Sequence, residues 1–143
     1  MKFEFSAGGV VFQKKGNQTL VLVAQHSGHH GWGFPKGLIG DTNKSESKEE
    51  TALREVKEET GIIGEIIHTL SPQTYWYAWE GEKNKKTVYF FVMRFVSGDT
   101  TQHDFEMENV EWIDSNDVEN RLTFKTDKAV WEEAKEYIFT QNA

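Results

Sequence analysis

The sequence predicts a single α+β domain, in which strands precede and follow a central helix and a second helix lies near the carboxyl end. A length of 143 residues fits one domain that can bury a core of its own. Apolar runs of strand length lie on both sides of an acidic segment at residues 46–60. That segment and residues 128–140 repeat apolar side chains at helical spacing. We therefore expect residues 1–143 to form one domain of mixed class.

The amino-terminal part predicts two strands and a long loop. Residues 3–13 have the composition of a strand that passes through a pair of glycines, and residues 14–18 are expected to turn the chain. Residues 19–24 are almost continuously apolar, which indicates a strand buried on both faces. Residues 25–45 are rich in glycine, histidine and polar side chains. We expect a long loop there, and long loops in compact domains usually carry function.

The central helix is expected over Glu46–Thr60, where acidic residues crowd the first turn. Its apolar stripe consists of Ala52, Leu53 and Val56. Gly61 follows at the position where a helix commonly ends in the left-handed conformation. Ser45 or Asn43 is expected to cap the amino-terminal end.

Strands and one more helix are expected after the central helix. The three predicted strands lie near residues 64–69, 73–80 and 86–96. Residues 81–85 are expected to form the hairpin loop between the last two of them. A short strand at 108–113 and a short helix or turn at 114–120 precede the final helix at 128–140. Its predicted inward side chains are Val130, Trp131, Ala134 and Ile138.

Charge and composition restrict the possible partners. The formal net charge is -7, so the protein would repel a polyphosphate or nucleic-acid backbone unless cations lay between them. The chain has no cysteine, which excludes disulfides, thiolate zinc sites and cysteine nucleophiles. No apolar run approaches the roughly 20 residues that span a bilayer, and no signal stretch is visible. We therefore expect a cytoplasmic protein that contacts neither membrane nor duplex nucleic acid.

Three acids of the central helix form one cluster. Glu55, Glu58 and Glu59 are related as i, i+3 and i+4, so their carboxylates share a face, and Glu46 points roughly the same way. Clustered carboxylates are the oxygen ligands that magnesium or manganese prefers. The alternative is a solvated helix face, on which basic neighbours balance the acids. Those neighbours are Lys48, Arg54 and Lys57.

The order of these residues resembles a known signature. Glu46, seven further residues, and then Arg54–Ile62 resemble the signature of the Nudix hydrolases. Trp32–Gly37 resembles the segment that introduces the helix in that family, and Ser6–Val10 looks like its first strand. The resemblance covers essentially the whole chain. It implies an α/β/α sandwich with a mixed β-sheet, a catalytic loop–helix–loop, and hydrolysis of a nucleoside diphosphate linked to another group.

The resemblance also implies roles for the acids. Glu55, Glu58 and Glu59 would be ligands of Mg²⁺, with Mn²⁺ as a possible substitute. Glu55 or a later acid would act on the attacking water. Arg54 would orient the carboxylates by a charge-assisted hydrogen bond, with Glu46 as the expected partner.

Two further metal ligands follow from the resemblance. One is a main-chain carbonyl at the glycine that opens the signature. Gly40 has the expected spacing, but the preceding Phe-Pro-Lys motif points to Gly37 and implies a three-residue insertion. The other is an acid in the loop at 97–108, where Glu106 is preferred and Glu108 and Asp104 are close competitors.

Residues outside the signature resemble the branch that hydrolyses diadenosine tetraphosphate asymmetrically. The three stretches that carry this resemblance are His29–Gly37, Tyr75–Phe90 and Glu106–Phe124. It implies that Lys36 and Lys86 bind phosphate oxygens remote from the metal. His30 would donate a hydrogen bond to a phosphate, or else pack within its loop.

Aromatic residues are candidates for binding the base. Tyr75 or Tyr77, together with Phe124, would sandwich a purine. Tyr75 and Tyr77 share one face of their strand and Trp76 lies on the other, so only one of these sets can face a pocket.

Several functions remain compatible with the sequence. The preferred function is hydrolysis of diadenosine tetraphosphate to ATP and AMP by a monomer or a homodimer. Other substrates of the same family are an oxidised nucleoside triphosphate, ADP-ribose and the 5′ triphosphate end of RNA. The alternative from another class is a nucleotide-binding sensor without turnover. The intact acids Glu55, Glu58 and Glu59 argue against it, because such sensors are expected to lose one of them.

Overall fold

One long strand organises the described chain, which comprises residues 1–40 and 44–140 of a computed structural model. The strands in chain order are β1 (Lys2–Lys15), β2 (Gln18–His26), β3 (Trp32–Gly33), β4 (Lys36–Leu38), β5 (Ile62–Thr69), β6 (Gln73–Trp79), β7 (Glu82–Gly98) and β8 (Met107–Asp114). The α-helices are α1 (Lys48–Thr60), α2 (Val118–Arg121) and α3 (Lys125–Thr140). Short 3₁₀ turns lie at Thr100–Gln102 and Ser115–Asp117. No helix in this part of the chain is long and apolar enough to cross a bilayer.

The sheet is mixed, as predicted. β1 runs parallel to β7, with Lys2 opposite Asn84 and Phe12 opposite Arg94. Every other strand pair is antiparallel among the described residues. Because a parallel pair needs a long crossover, the chain between β1 and β7 carries α1 across the sheet.

Helices cover both faces of the sheet, which agrees with the expected α/β/α sandwich. On one face, Val56 and Ala52 of α1 join a buried cluster with alternate residues of β1 and β7. On the other face, Trp131 and Val130 of α3 pack with the intervening residues of the same strands. Since side chains alternate along a strand, each central strand is apolar on both sides. The inward set predicted for α3 is confirmed, because its members are all at most 1% exposed.

The first turn of α1 differs from the prediction. Ser47 is the amino-terminal cap, since its side chain accepts a hydrogen bond from the backbone of Glu50 while the Glu50 carboxylate accepts one from the backbone of Ser47. The prediction of Ser45 is therefore wrong, and Asn43 lies outside the described residues. Glu46 precedes the helix. Gly61 ends it with a φ of 78°, as expected.

Some predicted boundaries are also wrong. The expected loop at 25–45 contains β3 and β4, which are too short for a hydrophobic pattern to reveal. The hairpin turn is confined to Glu80 and Gly81, both with positive φ, so residues 82–85 already belong to β7. Leu53 is 38% exposed although it was expected in the apolar stripe of α1. α3 begins at Lys125, three residues earlier than the hydrophobic pattern predicts.

Candidate active site

Arg54 links the acids of α1 into one network. Its Nε and Nη2 donate to the two carboxylate oxygens of Glu46 at 2.7 and 2.9 Å. Its Nη1 donates to Glu55 at 2.9 Å and to both oxygens of Glu58 at 3.2 Å. This guanidinium is only 18% exposed, so its geometry is fixed by three carboxylates at once.

Glu46 anchors the network from outside the helix. In addition to Arg54, the hydroxyl of Thr51 donates to its carboxylate at 2.6 Å. These hydrogen bonds lower the pKa of Glu46 to about 2. Glu46 therefore stays ionised and holds Arg54 on the face that carries the other acids.

Glu55 and Glu59 are buried acids. They are 6% and 4% exposed, whereas the side chain of Glu58 is 48% exposed. Burial raises the pKa of Glu59 to about 9, and the neighbouring charge of Glu55 adds to this. Burial also raises the pKa of Glu55, while Arg54 opposes the shift. The backbone N–H of Lys36 donates to Glu59 at 3.2 Å.

Two glycines contact this network at different points. A Cβ on Gly37 would lie 2.0 Å from the carboxylate carbon of Glu55, so the backbone of β4 passes directly over that acid. The backbone of Gly40 instead donates a hydrogen bond to Glu46. The geometry therefore brings Gly37, rather than Gly40, to the two buried acids.

The loop before β8 brings Glu106 towards the same acids. Its charge raises the pKa of both Glu55 and Glu59, and its side chain lines the adjoining cleft. The neighbouring candidates have other partners: Glu108 pairs with His30, whereas Asp104 lies beside Glu58, whose backbone carbonyl accepts a hydrogen bond from the backbone N–H of Asp104 at 2.9 Å.

The donor chemistry of this group fits a divalent cation. Glu55, Glu59 and Glu106 lie close together, since the charge of Glu106 raises the pKa of the other two, and a hard cation prefers such oxygen ligands. Within residues 1–40 and 44–140, however, no three acidic or histidine side chains already stand in coordinating positions. Arg54 holds the Glu58 carboxylate in its network, so metal binding requires a rotation of that side chain.

A cleft of about 270 Å³ adjoins the acids. Glu59 and Glu106 line it, and Lys36 and Lys86 contribute cations to its wall. Burial lowers the pKa of Lys86, and the neighbouring charge of Lys36 lowers it further. Two lysines held close to each other form a suitable site for an anion.

Phe124 lines the cleft beside Gly31, whereas Glu59 lies beside Lys36, and 44% of the surface of Phe124 is exposed. The ring of His29 meets it edge-on, at 5.4 Å between centroids, and stacks on His26 at 4.3 Å. A Cβ on Gly31 would come within 2.7 Å of the Phe124 ring, so the glycine makes room for this side chain.

The remaining predicted residues differ in their relation to the cleft. His30 does not line it; the side chain is 63% exposed and pairs with Glu108. The neighbouring residue His29 lines the cleft instead. Tyr75 stands opposite Lys86 on β7 and packs against the core, whereas Tyr77 is opposite Asn84, further out along the hairpin.

Two polar residues of the cleft were missed by the sequence analysis. Asp127, in the first turn of α3, is 3% exposed and lines the cleft beside Phe124. Ser6 of β1 is 1% exposed and also lines it. No feature of the local sequence sets Asp127 apart from an ordinary acid in the first turn of a helix.

Comparison with known proteins identifies the family. The NUDIX domain model matches residues 2–134. The chain belongs to the Nudix family. Hydrolysis of a nucleoside diphosphate linked to another group is the activity of Nudix hydrolases, and they generally use divalent metals such as Mg²⁺.

Individual Nudix relatives carry different names. MutT4 of Mycobacterium tuberculosis is 34% identical over 141 residues, covering 94% of this chain and 56% of its own length. An RNA pyrophosphohydrolase of Sphingopyxis alaskensis is 27% identical over 130 residues, covering 80% of each chain. The Ap4A hydrolase of Caenorhabditis elegans superposes with a TM-score of 0.71 at 21% identity, covering 96% of this chain and 98% of its own. At that identity the likeness concerns the fold alone.

Proposed function

We propose that this Nudix chain hydrolyses diadenosine tetraphosphate to ATP and AMP. The observation that carries the proposal is one cleft that acids, two lysines and an exposed phenylalanine line together. A dinucleoside polyphosphate has the matching sequence of groups, because a purine follows a chain of phosphates. A cytoplasmic location is part of the proposal, and the absence of cysteine is compatible with it.

The acidic end supplies the reaction with a fixed set of oxygen atoms. Arg54, anchored by Glu46, orients the carboxylates of Glu55 and Glu58. Mg²⁺ or Mn²⁺ held by Glu55, Glu58, Glu59, Glu106 and the Gly37 carbonyl would neutralise phosphate charge and lower the pKa of the attacking water. Glu55 or a later acid then takes the proton from that water. Water oxygen bonds to phosphorus, and the bridging oxygen leaves with the other product.

The lysines bind phosphates that lie beyond the acids. Lys36 is on β4 and Lys86 on β7, so two strands fix their spacing. Each offers a point charge to non-bridging oxygens, which compensates the acidic character of the whole chain. Phe124 stacks the base that follows, and Tyr75, which stands opposite Lys86, is the second candidate for contact with the base.

A product assay on a panel of substrates tests the proposal. The panel contains diadenosine tetraphosphate, ADP-ribose, 8-oxo-dGTP and a triphosphorylated RNA, with products resolved by chromatography. We expect rapid magnesium-dependent conversion of the first to ATP and AMP, abolished by EDTA. Cleavage of another member alone would retain the chemistry and refute the substrate. Tight nucleotide binding without any cleavage would favour the sensor alternative.

A second candidate substrate is the 5′ triphosphate end of RNA. Trp76 is 49% exposed on the hairpin, and the ammonium groups of Lys83 and Lys85 lie 4.7 and 5.6 Å from its ring centroid. An exposed ring between cations suits a single-stranded nucleic acid. Selective loss of RNA cleavage in Trp76→Ala would favour this candidate over the dinucleotide.

A further inference from the structure

A buried carboxylate lines the cleft, and its one charged neighbour among the described residues is a lysine. Asp127 is 3% exposed, and within residues 1–40 and 44–140 its carboxylate has the charge of Lys36 nearby but no hydrogen bond. Its interaction with Lys36 is electrostatic and does not cancel the effect of burial, which raises the pKa of Asp127. A buried polar group without a hydrogen bond costs free energy. We therefore expect a ligand in the cleft to donate a hydrogen bond to this carboxylate.

The strand opposite Asp127 is shaped to admit this carboxylate. A Cβ on Gly33 would lie 2.8 Å from the Asp127 Oδ2, and a Cβ on Gly31 would lie 2.7 Å from the ring of Phe124. Thus two glycines with one residue between them face two side chains whose residues have two others between them. The ring and the carboxylate lie side by side in the cleft because neither glycine carries a side chain.

A second unpaired polar atom lines the same cleft. The hydroxyl oxygen of Ser6 is buried and has no hydrogen-bond partner among the described residues. Asp127 also acts on Tyr75. Burial raises the pKa of Tyr75, and the charge of Asp127 raises it further. An aromatic pocket with a few convergent polar groups is typical of a site that orients a small ligand.

The chemistry of these groups suits the edge of a nucleobase. A purine stacked on Phe124 lies parallel to the phenylalanine ring and presents its own edge sideways. On that edge an exocyclic amino group is a hydrogen-bond donor. A carboxylate oxygen is an acceptor for such a donor. We propose that Asp127 determines base specificity by accepting a hydrogen bond from the amino group of an adenine stacked on Phe124. The inference rests on the proposed function, since it requires a base at this end of the cleft.

Calorimetric titration with two nucleotides tests the inference. The probes are ATP and purine riboside 5′-triphosphate, which lacks the amino group and is otherwise the same. We expect the wild-type protein with magnesium to bind ATP at least about tenfold more tightly, as for a hydrogen bond to a charged group. Asp127→Ala is expected to bind both alike. Asp117→Ala is the matched control, because Asp117 is exposed at the start of α2 and lies outside the cleft.

A purely structural role for Asp127 predicts a different result. If Asp127 served only to balance Lys36 or to hold α3, its removal would weaken both nucleotides equally and preserve their ratio. A preserved ratio in Asp127→Ala therefore overturns the inference. So does equal binding of the two probes by the wild type, or the binding of neither, and these results depend on no variant. Should the alanine variant fail to fold, Asp127→Leu fills the same volume without an acceptor.

The assay of diadenosine tetraphosphate on the same preparation separates this inference from the proposed function. Hydrolysis without discrimination between the two triphosphates removes the role of Asp127 and leaves the substrate intact. Discrimination that depends on Asp127, without hydrolysis of the dinucleotide, leaves the role of Asp127 and removes the substrate.

Discussion

The two ends of the cleft are built in different ways. At the acidic end, one short segment of chain supplies Glu46, Arg54 and the acids of α1, and a single guanidinium joins them. At the base end, Phe124 and Asp127 meet Gly31 and Gly33, which are about ninety residues away in the sequence. Ion pairs hold the first group of residues together, whereas close approach of side chains to two glycines defines the second.

This difference separates reaction from selection. A network of ion pairs on one helix tolerates changes elsewhere in the fold, so the chemistry can persist while substrates differ. The base end depends on where α3 starts relative to β3, and a small shift there changes what fits. The varied names of the Nudix relatives agree with a constant reaction and a variable pocket.

The largest expected effect is at the acidic end. Glu59→Gln removes a buried carboxyl group close to Glu55, and we expect kcat to fall at least about a hundredfold. Glu58→Gln is expected to do the same, with the fold intact by circular dichroism. Glu49→Gln, exposed on the same helix, is the control and should retain activity. Near wild-type turnover in both glutamine variants would disprove the assignment of the site.

A second effect concerns the stability that the charge network provides. Glu46→Gln should lower the free energy of unfolding near neutral pH by about 1.5–3 kcal/mol, as for a hydrogen bond to a charged group. The pKa of Glu46 falls from 4.5 to about 2 in the folded chain, so its contribution is complete above pH 4.5 and is lost as the pH approaches about 2. Urea denaturation at several pH values measures this. A difference from wild type that stays constant over the range would contradict the assigned network.

At the base end we expect a change in binding rather than in turnover. Phe124→Ala should raise KM for diadenosine tetraphosphate about tenfold, because stacking on an aromatic ring contributes about 1–3 kcal/mol per base. Inorganic polyphosphate, which has no base, should be affected little. Steady-state kinetics with both substrates make the comparison, and equal effects on the two would remove the stacking role.

The smallest predicted effect distinguishes two adjacent histidines. His29 touches Phe124 edge-on, so His29→Ala is expected to raise KM for the dinucleotide a few fold. His30 pairs with Glu108 outside the cleft and has a φ of 62°, which asparagine tolerates. His30→Asn should therefore leave KM unchanged. The reverse pattern would show that the loop is arranged differently when substrate binds.

The sequence predicted the acidic end better than the base end for a physical reason. Helical periodicity alone relates Glu55, Glu58 and Glu59, so their common face could be predicted without tertiary information. Glu46 and Arg54 were also paired correctly, although Glu46 lies outside α1 rather than inside it. The prediction erred by two residues at the helix start, because the Ser47 capping box is a local signal that competed with Ser45.

Asp127 could not be inferred in the same way. Nothing in its neighbourhood distinguishes it from an ordinary acid in the first turn of a helix, where such residues are common. Its burial results from contact with Gly33 of β3, and sequence alone does not relate these two positions. For His30 the sequence leaves two alternatives open, a phosphate contact or packing within the loop; in the structure its φ is 62° and its side chain pairs with Glu108.

The parallel pairing of β1 with β7 has a consequence for the order in which parts of the fold form. Eleven registered residue pairs join strands that are about eighty residues apart, so this part of the sheet forms only when most of the chain is available. α1 needs only its own residues and can form early. During synthesis, the charge network can thus precede the pocket that selects a substrate, and the cleft closes only once α3 has docked.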